Sequence, residues 1–206
     1  ASDEYDITNL SLTENRKYHV VMRMQNEGGQ WSDFVTANNI LIDTIKPSKP
    51  TINQTVLSEY ITATQNIPIQ WETNDDGSGI GGVYYEIVDN SGNVVATKSV
   101  TATSDANLAD VTFEQGGQYT LRLYSTDKAG LKSEVTTQTI TVDTTAPENI
   151  DIAHSENFST KVTEFSVTLN AVEDVSGVNN YVVQVLNDND ELIATRTVTV
   201  SDTAEK

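Results

Sequence analysis

The 206-residue sequence has no cysteine, two histidines and four prolines. Without thiols, neither disulfides nor thiolate metal sites can hold the fold, so packing must. The two histidines, His19 and His154, lie far apart in the chain, and neither has a serine or acid beside it in a catalytic arrangement. A phosphate-cradling glycine loop and a cysteine nucleophile are also missing, so no reaction class can be assembled and no enzymatic role is expected. Basic residues are scarce: 12 Lys and Arg stand against 30 Asp and Glu, a formal net charge of −18. That excess repels phosphate backbones and anionic lipid, which argues against nucleic acid and membrane partners; it suits cations, or mutual repulsion in a crowded array. No apolar run approaches the ~20 residues of a membrane span. The chain opens at Ala1, with neither an initiator methionine nor a signal peptide, and is read as part of a longer polypeptide.

What is present is a repeat, and a fixed period determines architecture before any local pattern does. Tyr18–Gly29 runs parallel to Tyr119–Gly130 at an offset of 101, and Ser32 then matches Ser133. The segment Ile42–Pro47 returns as Val142–Pro147 at an offset of 100. Later parts align at an offset of 98, Ser78–Ile80 with Ser176–Val178 and Ala96–Thr101 with Ala194–Thr199. These matches predict a trailing half-module over 1–46, a complete module over 47–144 and the leading part of a third over 145–206. Both chain ends then fall in the same loop of the repeat.

Within the central module apolar and polar residues alternate, the period of half-buried strands, and no segment sustains a helical period. Strands are expected near 50–57, 66–72, 82–89, 93–101, 109–114, 117–126 and 135–142. Turn residues such as Asn90–Gly92 and Glu114–Gly117 separate them. The fold class is therefore all-β, a tandem array of seven-stranded antiparallel β-sandwich modules. The inward face is read as Ile67, Ile69 and Trp71, then Val83, Tyr85 and Ile87, then Tyr119, Leu121 and Leu123. In the next module it is Phe165, Val167 and Leu169, then Tyr181, Val183 and Val185.

Four features resemble fibronectin type III and bacterial immunoglobulin-like modules. They are Trp71 in the second strand, Phe113 or Leu12 six residues before Tyr119 or Tyr18, the strand ending in Ala129-Gly130 or Gly28-Gly29 before a serine, and the linker Asp143–Pro147. The resemblance implies that Tyr18 and Tyr119 are tyrosine corners, whose hydroxyls close a turn. It also implies a structural or adhesive repeat of an extracellular, cell-surface protein, a semi-rigid stalk whose partners are neighbouring modules of the same or adjacent chains. The sequence departs from the family with Leu169 in place of a second Trp71, and with no Arg-Gly-Asp to engage an integrin.

In this topology the linker and two loops meet at one end of a module. Asp43 from the linker, Asp75 and Asp76 from Asp75–Gly79, and Asp127 are thus expected to converge, and Asp143, Glu173 and Asp174 to do so at the next junction. Hard oxygen ligands of this kind suit calcium. The same Asp-Asp-Gly-Ser-Gly is also ordinary turn chemistry, with the acid capping its own backbone and glycine supplying positive φ. Converged carboxylates would favour metal, and splayed ones the turn. Asp188–Glu191 is read as a hairpin turn. Trp31 offers either a flat platform for a sugar or protein ligand, or a packing contact. Two rival functions follow: an accessory carbohydrate-binding module of a secreted polysaccharide-degrading enzyme, touching glycan through Trp31 or Tyr84, and a filament subunit whose half-modules neighbouring chains complete.

Overall fold

The alternation of apolar residues does its work by placing every second side chain on one face of a pleated strand. A computed structural model describes residues 4–100, 104–154, 166–170 and 172–199, and every regular element in them is a strand. In chain order these are β1 (Lys17–Tyr18), β2 (Val21–Met22), β3 (Val35–Thr36), β4 (Ile40–Leu41), β5 (Thr51–Ile52), β6 (Tyr60–Ile61), β7 (Ile67–Glu72) and β8 (Ile80–Asp89). There follow β9 (Val94–Val100), β10 (Asp105–Leu108), β11 (Gln118–Asp127), β12 (Thr136–Val142), β13 (Ile152–His154), β14 (Val167–Leu169), β15 (Asn180–Leu186) and β16 (Leu192–Thr199). The chain divides into two units. One comprises Ala1–Glu59, Gln65–Val111 and Gln118–Ile140; the other comprises Tyr60–Thr64, Thr112–Gly117 and Thr141–Lys206.

In the first unit β7 lies between β10 and β5, while β12, β11, β8 and β9 lie side by side in that order. The strand β7 alternates strictly, with Ile67, Ile69 and Trp71 buried. Val83, Tyr85, Ile87, Leu121 and Leu123 are fully buried as the pattern requires, and Tyr119 is half-buried. At roughly 25 cal/mol per Å² of apolar surface, such side chains each contribute ~1.5–3 kcal/mol, enough to replace the absent disulfides. The residues before Asp43 form two short antiparallel pairs, β1 with β4 and β2 with β3. Here the Tyr18 hydroxyl accepts a hydrogen bond from Thr13 N at 2.9 Å, the corner the resemblance implied. The matched serines have one job in both copies: Ser32 Oγ accepts from Met24 N at 3.0 Å, and Ser133 Oγ from Ser125 N at 3.0 Å.

Two expected strands differ, and one short strand is additional. Residues 109–114 form no strand, and the ladder partner of β7 is β10, four residues earlier. Val111 and Phe113 alternate because they are buried from an extended segment, but Phe113 N donates to the Thr64 carbonyl and not to a ladder. The strand expected over 50–57 stops at Ile52, because Asn53 takes Thr55 N on its side-chain oxygen at 3.0 Å and turns the chain. The short β6 was not foreseen.

In the second unit β6 pairs in parallel with the end of β12, Thr141 opposite Tyr60 and Val142 opposite Ile61. Pairs β13 with β14 and β15 with β16 are antiparallel. Val167, Leu169, Tyr181, Val183 and Val185 are half-buried on alternate positions; Phe165 lies outside the described residues. Ile152, Leu169, Val178, Tyr181 and Val183 help to line an apolar cleft of about 330 Å³. The turn at Asp188–Glu191 closes β15 onto β16, with Asn187 Oδ1 accepting from Asn189 N and Glu191 N, both at 2.9 Å.

Candidate metal centre

The linker, the loop after β7 and the turn after β11 bring three carboxylates together in the first unit. Each of Asp43, Asp75 and Asp127 offers an oxygen, and these oxygens all lie within 4.8 Å of one another. Each residue is aimed by its own backbone bonds. Asp43 Oδ2 accepts from Ser78 N at 2.7 Å and its Oδ1 from Ile45 N at 3.2 Å. Asp75 Oδ2 accepts from Gly79 N at 2.7 Å, so the turn chemistry of Asp75–Gly79 and the convergence coexist. Gly77 is required for this approach: a Cβ there would sit 2.6 Å from the Asp43 carboxylate. Gly79 holds φ +80°, a conformation costly for any residue with a Cβ.

Asp127 is 3% exposed. Its Oδ1 accepts from Leu131 N at 2.8 Å, while its buried Oδ2 has no partner. The repeat indicates why that oxygen matters. Asn26 occupies the equivalent position in the preceding copy, and its Oδ1 accepts from Gln30 N at 2.9 Å. One acceptor is thus sufficient for the turn, and the second oxygen and charge of Asp127 are surplus to it. An unpartnered buried carboxylate oxygen costs ~1–3 kcal/mol or more unless a hydrogen-bond donor or a cation meets it. Among the described residues the three carboxylates form no ion pair; Lys98 pairs with Asp110 and Arg122 with Glu86 instead. The hydrogen bonds from Ser78 hold Asp43 below the usual carboxylate range, so it is an anion at neutral pH. Three converging hard oxygens, none of them ion-paired to a described side chain, can hold a divalent cation.

The other expected ligands fall elsewhere. Asp76 is exposed and outside the trio: its Oδ1 accepts from Asn74 Nδ2 at 2.6 Å and its carbonyl from Asn15 Nδ2 at 3.3 Å. In the second unit Asp143 and Asp174 meet at Ser176 N, which donates to Asp143 Oδ2 at 3.1 Å and to Asp174 Oδ1 at 3.1 Å. Hydrogen bonds from Ser176, then Gln115, push the Asp143 carboxyl far below its ordinary value. Glu173 is exposed, and among the described residues no group of three acids forms around Asp143.

Trp31 is 53% exposed, and the Arg23 guanidinium lies over its ring at 4.3 Å. In the next copy the roles are exchanged: Tyr124 replaces Arg23, Lys132 replaces Trp31, and Lys132 Nζ lies 3.4 Å from the Tyr124 ring. Tyr124 also stacks on Tyr84, centroids 5.2 Å apart. One face of Trp31 is therefore engaged in packing.

Alternating inward faces, antiparallel ladders and a tyrosine corner define β-sandwich modules of immunoglobulin type. The family model described as a bacterial Ig-like domain matches residues 36–144, more than half of the chain, and the chain belongs to that family. No curated protein matches it. Among solved structures, the fibronectin(III)-like modules of Clostridium thermocellum CbhA align at 17% identity and a TM-score of 0.38, covering 62% of this chain and 63% of that one. The chain thus spans less than two thirds of their length. A two-domain fibronectin type III segment of chicken tenascin aligns at 16% identity and a TM-score of 0.36, covering 76% of this chain and 79% of that one. A Ca2+-stabilized adhesin of an Antarctic bacterium aligns at 16% identity and a TM-score of 0.33, covering 90% of this chain and 46% of that one.

Proposed function

We propose that this chain is a non-catalytic repeat of an extracellular bacterial surface protein, a semi-rigid spacer stiffened by calcium held by Asp43, Asp75 and Asp127. Its modules follow the repeat, over 1–46, 47–144 and 145–206, and each has its neighbours as partners. The observation that carries the calcium reading is the convergence of the three carboxylates, with Asp127 Oδ2 buried and unmatched. Calcium takes oxygens at 2.3–2.6 Å, so two ligands on opposite sides of one ion stand about 5 Å apart. The 4.8 Å spread of the three oxygens fits that span. Because Asp43 belongs to the linker and the other two to loops of the following module, the ion would tie linker to module. Pro47 and Pro50, and later Pro147, restrict the junctions further by fixing their own φ and that of the preceding residue.

The test is small-angle scattering and thermal melting of the chain in calcium and in excess chelator. A more variable scattering profile and a melting temperature lower by several degrees in chelator are expected. Identical profiles and melting temperatures would remove calcium from the reading and leave a spacer held by packing alone.

A further inference from the structure

The hairpin of β15 and β16 repeats that of β8 and β9 pair for pair. Tyr181 faces Val198 as Val83 faces Val100, and Val185 faces Ala194 as Ile87 faces Ala96. The register shifts at the same place in both, between Val185 and Leu186 and between Ile87 and Val88. The two hairpins differ on their other edge. β8 is also paired along its length with β11, whereas among the described residues β15 pairs with β16 alone. Its inward Tyr181, Val183 and Val185 are accordingly half-buried, where the equivalent Val83, Tyr85 and Ile87 are fully buried.

The counterpart of β11 in the first copy is segment 18–24. It keeps one neighbour of β11, since Val21 and Met22 pair with Thr36 and Val35, the equivalents of residues at the start of β12. The other edge, which in β11 takes β8, pairs with no strand among the described residues. Val20, Met22 and Met24 are 42%, 58% and 66% exposed, while their counterparts Leu121, Leu123 and Ser125 are fully buried. Two open edges with apolar faces thus stand in one chain, and the central module shows how such edges fit each other. Transferring its register through the repeat sets Val20 against Val185, Met22 against Val183 and Met24 against Tyr181. On the opposite face Val21 would meet Gln184 and Arg23 would meet Val182, so no like charges oppose each other.

We infer that the open edge of β15 takes segment 18–24 of a second copy of this chain, added antiparallel as β11 is added to β8. Main-chain bonds along the edge supply affinity, and the alternate apolar side chains set the register. Each copy gives one surface and receives on another, so the contact is heterologous and joins copies head to tail into rings or open filaments. The net charge of −18 per chain opposes the approach, and salt screens it. This pairing stands apart from the calcium reading, so it is tested in chelator.

The experiment combines light scattering of the intact chain, over a range of concentration and salt, with oxidative cross-linking of single-cysteine variants, unambiguous in a chain without native cysteine. Average mass should rise above the monomer with concentration, and further with salt. Met22→Lys, at a side chain exposed in the single chain, should fold as wild type and weaken association at least about tenfold, because the pairing would bury the charge. In a mixture of Val21→Cys and Gln184→Cys chains the mixed dimer should form well above the proportion that random pairing gives. Val21→Cys with Asn180→Cys, four residues or about 13 Å out of register, should show no such preference. A monomer under all conditions overturns the inference, as does association without preference for the 21–184 pair. A chain carrying both cysteines that closes on itself and stays monomeric also overturns it, by excluding a second copy as the occupant.

Discussion

Replacing Asp127 with asparagine tests the centre because its effect should change sign with calcium. The substitution keeps the acceptor that Leu131 N uses at 2.8 Å, as Asn26 does in the preceding copy. It removes one negative charge and turns the unmatched buried Oδ2 into an amide nitrogen beside two other carboxylates. In chelator the loss of an uncompensated buried acceptor should stabilise the chain by about 1–3 kcal/mol. For a domain of roughly a hundred residues, ~1 kcal/mol moves the melting temperature by ~4–8 °C, so the variant should melt at least ~4 °C above wild type. In calcium at a hundred times its dissociation constant the wild type gains ~2.7 kcal/mol from ligand linkage, which a variant missing a charged ligand largely forgoes. The order of melting temperatures should then reverse. Scanning calorimetry or circular dichroism melts of both proteins, with and without chelator, read this directly. A variant that melts below wild type by the same margin in both conditions would refute the reasoning and make Asp127 a turn residue only.

Two further predictions concern the fold and its pH response. Leu121 is fully buried in β11, so Leu121→Ala should cost ~2–5 kcal/mol in denaturant unfolding; a loss under about 1 kcal/mol would mean that the core is not where it is placed. Asp43, Asp89 and Asp143 all have carboxyls lowered in the folded state, by Ser78, Asn93 and Ser176 respectively as the leading causes. Their contribution is complete above the unfolded value of ~3.9 and is lost as pH falls through the folded values. In metal-free buffer stability should therefore hold down to about pH 5 and decline below about pH 4. Asp143→Asn should make that decline shallower, and an equally steep decline in the variant would sever it from the Asp143 hydrogen bonds.

Much of the fold was legible in the sequence because burial and repetition leave local traces. The alternation in Ile67–Trp71 and Val83–Ile87 reports which side chains are buried, and those assignments match the structure. Alternation does not report which backbone groups are paired. Val111 and Phe113 carry the same signature from a segment outside any ladder, so a strand was expected where none forms. Tyr60–Ile61 carries no signal because two residues are too few to show a period. At the centre, the acids of the linker and loops were readable from the topology. Asp76 was not separable from Asp75, since which of two adjacent acids points inward depends on loop dihedrals. The exchange of Arg23 and Trp31 for Tyr124 and Lys132 was visible residue by residue, yet neither position alone suggests a pair.

That exchange has a genetic consequence. Neighbouring repeats in one gene are prone to recombine, and a crossover between the two positions would join the first copy's arginine to the second copy's lysine, leaving two cations face to face on one module. The reciprocal product would set Tyr124 against Trp31 with no cation between them. A crossed-over copy would thus lose the cation–ring contact that both native copies keep, so the two positions work as a compensating pair.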